Sequence, residues 1–265
     1  MGGSRRDWHG MINSVLKAVQ LLEAFSPEHP RRSLAEFAEI TGYPKTTIYT
    51  LAATLVRCGL LEKEGDSYAL GLGVIRLTQS VRVNVELRDR AAPLLRELAD
   101  HARESVYLAV PNDDRILYIY AIESSHRLSS RSALGDRAYY HSTSVGKAMI
   151  CFMDAEERSR ILGLTGLPAV TANTIVDPDE FAREVQETVS RGYAIDRSEN
   201  EVGTYCLGAP ILDSRGRVIA ACSVSGNTDQ ILDGARPPLV APLLEAADQI
   251  SRRMGYVPTR GRRTV

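Results

Sequence analysis

Small hydroxyl and cationic side chains recur on one face of a predicted helix in the first quarter of the chain. At helical spacing this face carries Thr46, Thr50, Ala53 and Arg57, with Lys45 and Thr47 at its start. Such side chains can enter the major groove of DNA, donate to phosphates and touch base edges. The face therefore predicts contact with double-stranded DNA, and a plain solvated face on a small helical bundle is the alternative.

Two predicted helices joined by a tight turn position this face. Ser33 and Glu36 have the spacing of a capping box, which starts the first of them, and Gly42 ends it. Pro44 suits the first position of the second helix. Ala38 is small enough for the two helices to approach closely, so the segment predicts a helix-turn-helix.

One more helix and a hairpin complete the predicted head of the chain. The preceding helix has an apolar stripe at Val15, Ala18, Val19 and Leu22. After the helix that bears the DNA-contacting face, which is the recognition helix of a helix-turn-helix, two short strands flank a Gly65-Asp66 turn. A hairpin in this place is a wing. Residues 1–71 are therefore predicted to form a winged helix-turn-helix domain.

Composition and charge limit the remaining possibilities. The chain has 265 residues, 44% hydrophobic and 25% charged, which is typical of a globular protein and excludes a disordered one. The net charge of −1 combines +2 over residues 1–83, −8 over 84–251 and +5 over 252–265. A mildly basic head on an acidic body suits an anionic partner, although +2 alone is also compatible with random surface variation.

Cysteine spacing and hydropathy point to an intracellular protein without a metal site. The four cysteines are far apart and form no Cys-x-x-Cys pair, and there are five histidines, so no structural metal is expected. No apolar run is long enough to cross a membrane, and reduced thiols in the cytoplasm are the default. The basic end, residues 257–265, is predicted to be a disordered tail.

Helical and then strand-like patterns follow the head. Residues 72–84 are predicted to form a linker helix, and an amphipathic helix follows from Leu87 to Ala102. Two strands about residues 106–110 and 116–122 form a hairpin, with a further strand expected at 128–134. Helices at 144–153, 155–162 and 179–191, strands at 205–212 and 218–225 and a helix at 239–254 complete an α+β domain with a largely antiparallel sheet, residues 85–256.

Three blocks of sequence resemble the IclR family of bacterial transcription regulators, over roughly Ser14 to Gly255. They are Leu34-Ala35-Glu36-Phe37-Ala38 through Pro44-Lys45-Thr46-Thr47-Ile48-Tyr49 to Leu60, His141-Ser142-Thr143-Ser144-Val145-Gly146-Lys147-Ala148, and Gly192-Tyr193 through Glu199, Gly203, Cys206, Ala209-Pro210 and Gly216 to Ser223-Val224-Ser225-Gly226. The resemblance implies a winged helix-turn-helix, a linker helix and a C-terminal GAF-like effector domain. It also implies a homodimer, often paired into a homotetramer, a small organic acid as effector, and no cofactor.

The resemblance bears on both sites. The DNA contacts are expected from Lys45, Thr46, Thr47, Tyr49, Thr50 and Arg57. Thr50 stands where the family usually has Arg. Because Thr is shorter and uncharged, a phosphate or guanine contact is lost or replaced, and the DNA sequence that this chain binds does not follow from the operators of the family. By resemblance, the amides of Ser144, Val145 and Gly146 would cradle a carboxylate at a helix start, and the Val145 side chain would narrow the pocket. The opposite wall would be Asp196, Cys206, Ser223 and Ser225, with Ser130 nearby.

Other functions remain as alternatives. Arg127 and Arg131 could supply a cation to the effector, or lie on the surface. Lys147 follows Gly146, but the spacing of a phosphate-binding loop is absent, so no nucleotide site is predicted. Cys206 could be the nucleophile of an enzyme with His141 as base, or an inert residue of an apolar strand. A third alternative is a DNA-binding module that has lost its effector, and the predicted function is a ligand-responsive regulator, not an enzyme.

Overall fold

The computed structural model describes residues 12–26, 28–78, 82–124, 134–227, 231 and 239–258. The chain divides into two compact units, Met1–Arg82 and Val83–Val265. The division falls inside the predicted linker segment 72–84. No described helix is both long enough and apolar enough to cross a bilayer.

The first unit is a helix-turn-helix with a small sheet. Its helices are α1 (Asn13–Glu23), α2 (Leu34–Thr41), α3 (Lys45–Arg57) and α4 (Gly73–Thr78), and its strands are β1 (Arg31–Ser33), β2 (Leu61–Glu64) and β3 (Ser67–Leu70). The strands pair antiparallel in the order β1-β3-β2. The hydrophobic core contains residues from α1, α2, α3, β2 and β3, namely Leu21, Phe37, Ile48, Ala52, Leu55, Leu61 and Tyr68. The predicted fold of the head is confirmed.

The capping box forms as predicted at the start of α2. The Ser33 hydroxyl accepts from the Glu36 amide at 3.3 Å, and the Glu36 carboxylate accepts from the Ser33 amide at 2.8 Å. Gly42 ends α2 with φ 71°, a conformation that costs glycine little. Pro44 precedes α3 in an extended conformation, so it lies one residue outside the position predicted for it.

The apolar stripe predicted on α1 is divided, because Ala18 and Leu22 pack against the core and Val15 and Val19 do not. Leu21 is the one buried residue of this helix, and Val15 and Val19 are 57% and 42% exposed. The helix has apolar residues on more than one side, so the periodic pattern alone did not identify the side that meets the core. Strand β1 was also missed, because Arg31-Arg32-Ser33 has no apolar alternation.

The second unit is a six-stranded antiparallel sheet with helices on both faces. Its helices are α5 (Arg82–Ala102), α6 (Ser144–Phe152), α7 (Ala155–Thr165), α8 (Pro178–Arg191) and α9 (Val240–Arg253). Its strands are β4 (Ser105–Asn112), β5 (Arg115–Ile122), β6 (Arg137–Ala138), β7 (Ala194–Arg197), β8 (Tyr205–Leu212) and β9 (Val218–Gly226), in the order β6-β5-β4-β9-β8-β7. The α+β class and the antiparallel sheet are confirmed.

Alternation along the strands divides this unit into two cores. Leu108 of β4 packs with α5 and α9 on one face of the sheet, and Tyr107 and Ala109 pack with α6, α7 and α8 on the other. Strand β7 was not predicted. The strand predicted at 128–134 lies outside the described residues except for its last position, and the predicted tail does so beyond residue 258.

Candidate functional sites

The polar side of α3 is exposed and its apolar side is buried. Lys45, Thr46, Tyr49, Thr50 and Arg57 are exposed and Thr47 is half-buried, whereas Ile48, Ala52 and Leu55 pack in the core. The Thr50 hydroxyl donates to the Thr46 carbonyl at 3.0 Å. With its proton engaged, the hydroxyl oxygen of exposed Thr50 can still accept from a base amino group, and its methyl group can contact a thymine methyl.

The wing carries acidic side chains, and one of them is paired. Arg31 of β1 lies 2.5 Å from the Glu64 carboxylate at the end of β2. Arg31 of β1, a strand that the sequence pattern did not predict, therefore offsets the negative charge of Glu64 near the wing tip.

Polar side chains line up across the face of the large sheet that α6, α7 and α8 cover. Asp196 is directly opposite Cys206, and Cys206 is directly opposite Ser225. In the next row, Gly208 is opposite Ser223, which is opposite Tyr107. Residues two apart on a strand face the same way, so both rows line one surface.

Helix α6 begins directly above this surface. Thr143 caps it, because its hydroxyl accepts from the Gly146 amide at 3.0 Å. A side-chain carbon on Gly208 would lie 2.4 Å from the Ser144 carbonyl oxygen, so glycine is what allows the helix start to rest on β8. The amide of Gly146 is thereby engaged within the protein, and Gly146 itself packs tightly against Tyr140.

A small cavity remains between the helix start and the sheet. It is lined by Tyr107, Tyr118, Thr143, Ser144, Asp196, Asn200, Glu201, Thr204, Cys206, Ser223 and Ser225. Its free space is about 20 Å³, close to the room that one water molecule requires. A wider cleft of about 640 Å³ adjoins it and shares Tyr118, Asn200 and Glu201.

Five of the residues predicted for the effector site meet in this cavity: Ser144, Asp196, Cys206, Ser223 and Ser225. Val145 and Gly146 do not, because the Val145 side chain packs in the core between α6 and the sheet and the Gly146 amide donates to Thr143. Ser130, Arg127 and Arg131 lie outside the described residues. Sequence reasoning missed six lining residues, namely Tyr107, Tyr118, Thr143, Asn200, Glu201 and Thr204.

A buried ionic network lies beside the cavity. Lys147 is completely buried, with its Nζ 2.6 Å from Glu199 and 3.4 Å from Glu184. Arg191 pairs with Glu184 at 2.7 Å. Burial raises the pKa of Asp196 to about 7, although Lys147 lowers it. The Asp196 carboxylate accepts the Glu199 amide at 2.8 Å, which ties β7 to the following loop.

The geometry does not couple Cys206 to His141. The His141 Nε2 is 3.0 Å from the Pro168 carbonyl oxygen, and burial lowers its pKa. The Cys206 sulfur accepts from the Ser225 hydroxyl at 2.9 Å. Over the described part of the chain, no three His, Cys, Asp or Glu residues are grouped so that they could hold a metal ion.

Comparison with known proteins agrees with both units. Residues 14–65 match the IclR helix-turn-helix domain, and residues 79–252 match the family described as bacterial transcriptional regulator IclR C-terminal. The chain belongs to the IclR family. A regulator named KdgR from Dickeya chrysanthemi is 32% identical over 247 residues, which are 92% of this chain and 81% of that protein. The transcriptional repressor IclR of Escherichia coli is 27% identical over 250 residues, which are 93% of this chain and 91% of that protein.

Solved structures of the IclR family share the fold. The Thermotoga maritima IclR is 29% identical with a TM-score of 0.78, covering 93% of this chain and all of that one. An IclR homologue from Microbacterium hydrocarbonoxydans, complexed with 4-hydroxybenzoate, has a TM-score of 0.81 at 24% identity, over 91% of this chain and 98% of that one. The matched proteins are named transcription regulators, not enzymes, so the enzyme hypothesis on Cys206 is set aside.

Proposed function

We propose that this IclR-family protein is a ligand-responsive transcription regulator that binds a DNA operator as a dimer, or as a dimer of dimers, and responds to a small organic acid. The observation that carries the proposal is the exposed face of α3. This face bears hydroxyl and cationic side chains, and the opposite, apolar face of the helix is buried in the core and fixes its orientation. The polar cavity under α6 supports the second half of it.

DNA contact divides between two kinds of side chain on α3. Lys45 and Arg57 suit phosphates, which position the protein without reading sequence. Thr46 and Thr50 suit base edges in the major groove. Tyr49 is 56% exposed on the same helix and can contact the sugar-phosphate backbone.

Exposed apolar residues on α1 support a dimer. Ile12 precedes the helix, and with Val15, Leu16 and Val19 it forms a stripe at helical spacing, each of the four at least 40% exposed. A second copy of the chain would cover this stripe. A two-fold dimer would present two α3 helices to the two halves of a pseudo-palindromic operator.

The effector would have to open the cavity. About 20 Å³ cannot hold an organic acid, so a bound state must separate the start of α6 from the sheet or join the cavity to the adjoining cleft. An acid can shift the regulator only by binding this open state better than the closed one. The 4-hydroxybenzoate in the Microbacterium homologue makes an aromatic acid a reasonable first probe.

The DNA half is tested by electrophoretic mobility shift with the DNA upstream of the gene itself. We expect a sequence-preferring complex that weakens as salt is raised, because phosphate contacts release counterions. Binding that is equal for unrelated DNA, or absent at low salt, would refute the proposal.

The closed cavity also favours a second candidate, a DNA-binding protein without an effector. Thermal-shift screening against aliphatic and aromatic acids separates the two, because a ligand of the native state raises the melting temperature. A specific shift supports the responsive regulator, and its absence for every acid supports the second candidate.

A further inference from the structure

The cavity under α6 has no positive side chain among its described lining residues. Its ionisable carboxyl groups are Asp196 and Glu201, and the rest of the wall consists of hydroxyls, an amide, two phenols and a thiol. A carboxylate entering here would approach Asp196 without meeting a lysine, arginine or histidine in this described lining. Two ionised carboxylates in such a space repel each other, and one of them tends to hold a proton.

The two cations of the network beside the cavity, buried Lys147 and partly buried Arg191, already have acidic partners. Lys147 and Arg191 carry two positive charges, and Glu184 and Glu199 carry two negative ones. Burial raises the pKa of Glu199, and Lys147 at 2.6 Å opposes that shift. An ionised Asp196, 2% exposed, would add a third negative charge to this balanced set. Buried charges without a counter-ion are costly, so the neutral acid is favoured.

We propose that Asp196 binds the effector carboxylate as a neutral acid, donating its proton in a hydrogen bond, so that each carboxylate bound above neutral pH takes up one proton from solvent. The step is Asp196 carboxylate plus one proton plus the effector anion giving a hydrogen-bonded acid–carboxylate pair. No covalent bond other than the O–H bond forms, and the net charge of the Asp196–effector pair is −1. This inference rests on the proposed function, because it assumes that a carboxylate occupies this cavity.

The groups around Asp196 are consistent with this role. On its own strand and the following loop, it accepts the amides of Glu199 and Asn200, which partly stabilise the anion. Ionisable groups reach the cavity or the network beside it from α6, α8, the loop after β7 and three strands: Lys147, Glu184, Glu199, Glu201, Cys206, Tyr107 and Tyr118. Burial outweighs Lys147 and raises the pKa of Asp196 to about 7, which sets the pH at which uptake begins.

Isothermal titration calorimetry of the full-length protein tests the proposal. The ligands are 4-hydroxybenzoate and its neutral isostere 4-hydroxybenzamide, from about pH 6 to about pH 8.5, in two buffers of different ionisation enthalpy. We expect the affinity for the acid to fall about tenfold per pH unit above about pH 7, with uptake of one proton. The amide should bind without that loss, because it needs no proton from Asp196.

The variant Asp196→Asn and the control Ser223→Ala identify the group responsible. Asp196→Asn should remove the pH dependence for the acid, since the amide donates at every pH, and Ser223→Ala should keep it. Acid binding with no pH dependence in the wild type, or an unchanged dependence in Asp196→Asn, would overturn the inference and leave the proposed function intact. Failure of 4-hydroxybenzoate and of every acid in the thermal-shift screen to bind at any pH would remove the effector from the proposed function, and this inference with it.

A measurement without ligand tests the protonation of Asp196 directly. An acid whose pKa is raised on folding destabilises the native state as pH rises from the unfolded to the folded pKa. The melting temperature of Asp196→Asn relative to wild type should therefore increase between about pH 5 and about pH 7. A constant difference over that range would show that Asp196 is ionised throughout, and would contradict the proposal even if no ligand were found.

Discussion

At the scale of single residues, the cavity depends on side chains that are absent as much as on those present. Gly208 leaves room for the Ser144 carbonyl, and a methyl group there would lie 2.4 Å from that oxygen and 2.6 Å from its carbon. Both atoms belong to the backbone, so the conflict cannot be relieved by turning a side chain. The sequence carried a signal for this position, since a glycine within an apolar strand often marks a close backbone approach.

Gly208→Ala is expected to lower the free energy of unfolding by about 1–3 kcal/mol, because the start of α6 must move off the sheet. Urea denaturation measures the loss. The matched control is Gly163→Ala at an exposed position of α7, where an added carbon meets nothing within 4 Å and a small gain in stability is expected. Equal effects at the two glycines would show that α6 does not depend on this contact.

Lys147→Met is expected to cost about 3–5 kcal/mol, since it leaves the buried Glu199 carboxylate without its cation and leaves Glu184 with Arg191 alone. Adding Glu199→Gln should recover part of the loss, because the unpaired charge is removed. Denaturant unfolding of both variants at neutral pH checks this. No recovery in the double variant would mean that Lys147 acts through packing alone.

At the scale of elements, end signals proved more informative than periodicity. Ser33, Glu36 and Gly42 identified both ends of α2, because capping and left-handed turns are local and need no tertiary context. The apolar stripe on α1 did not include Leu21, its buried residue, and β7, which holds Asp196, was not predicted. Strand β7 has four residues, which is too few for a clear alternating pattern. It is defined by its pairing with β8, and such pairing cannot be read from local sequence.

Ser33→Ala should reduce the stability of the first unit by about 1 kcal/mol, because the Glu36 amide loses its side-chain acceptor. Ser33→Thr retains the hydroxyl and should stay close to wild type. Thermal unfolding followed by circular dichroism distinguishes them, and a threonine variant as unstable as the alanine variant would argue against the cap as the cause.

At the scale of the whole molecule, the exposed stripe on α1 is the feature that a monomer does not explain. The double variant Val15→Glu/Val19→Glu should shift the protein toward monomer and weaken operator binding, because it places charges in the proposed dimer contact. Ile40→Glu is the control, since Ile40 is 50% exposed on α2 outside the stripe. Sedimentation velocity and a mobility shift assay measure both effects, and dissociation by Ile40→Glu alone would point to a different interface.

DNA affinity also belongs to this scale, because it sums over all phosphate contacts. Lys45→Gln should weaken binding to all sequences alike and reduce the slope of log affinity against log salt by about 1 per α3 helix engaged. Arg183→Gln, an exposed cation on α8, should leave the slope unchanged. A sequence-dependent loss in the Lys45 variant would instead assign that side chain to a base.

The near-absence of free space under α6 has a consequence for selectivity. If only a small fraction of molecules is open at any moment, the apparent dissociation constant of every acid is raised by the reciprocal of that fraction. The factor is the same for every candidate acid. An acid that binds weakly would therefore have an apparent dissociation constant above its concentration in the cell, and it would not occupy the site. Substitutions that prop the pocket open would therefore broaden the range of metabolites that trigger a response, without creating a single new contact.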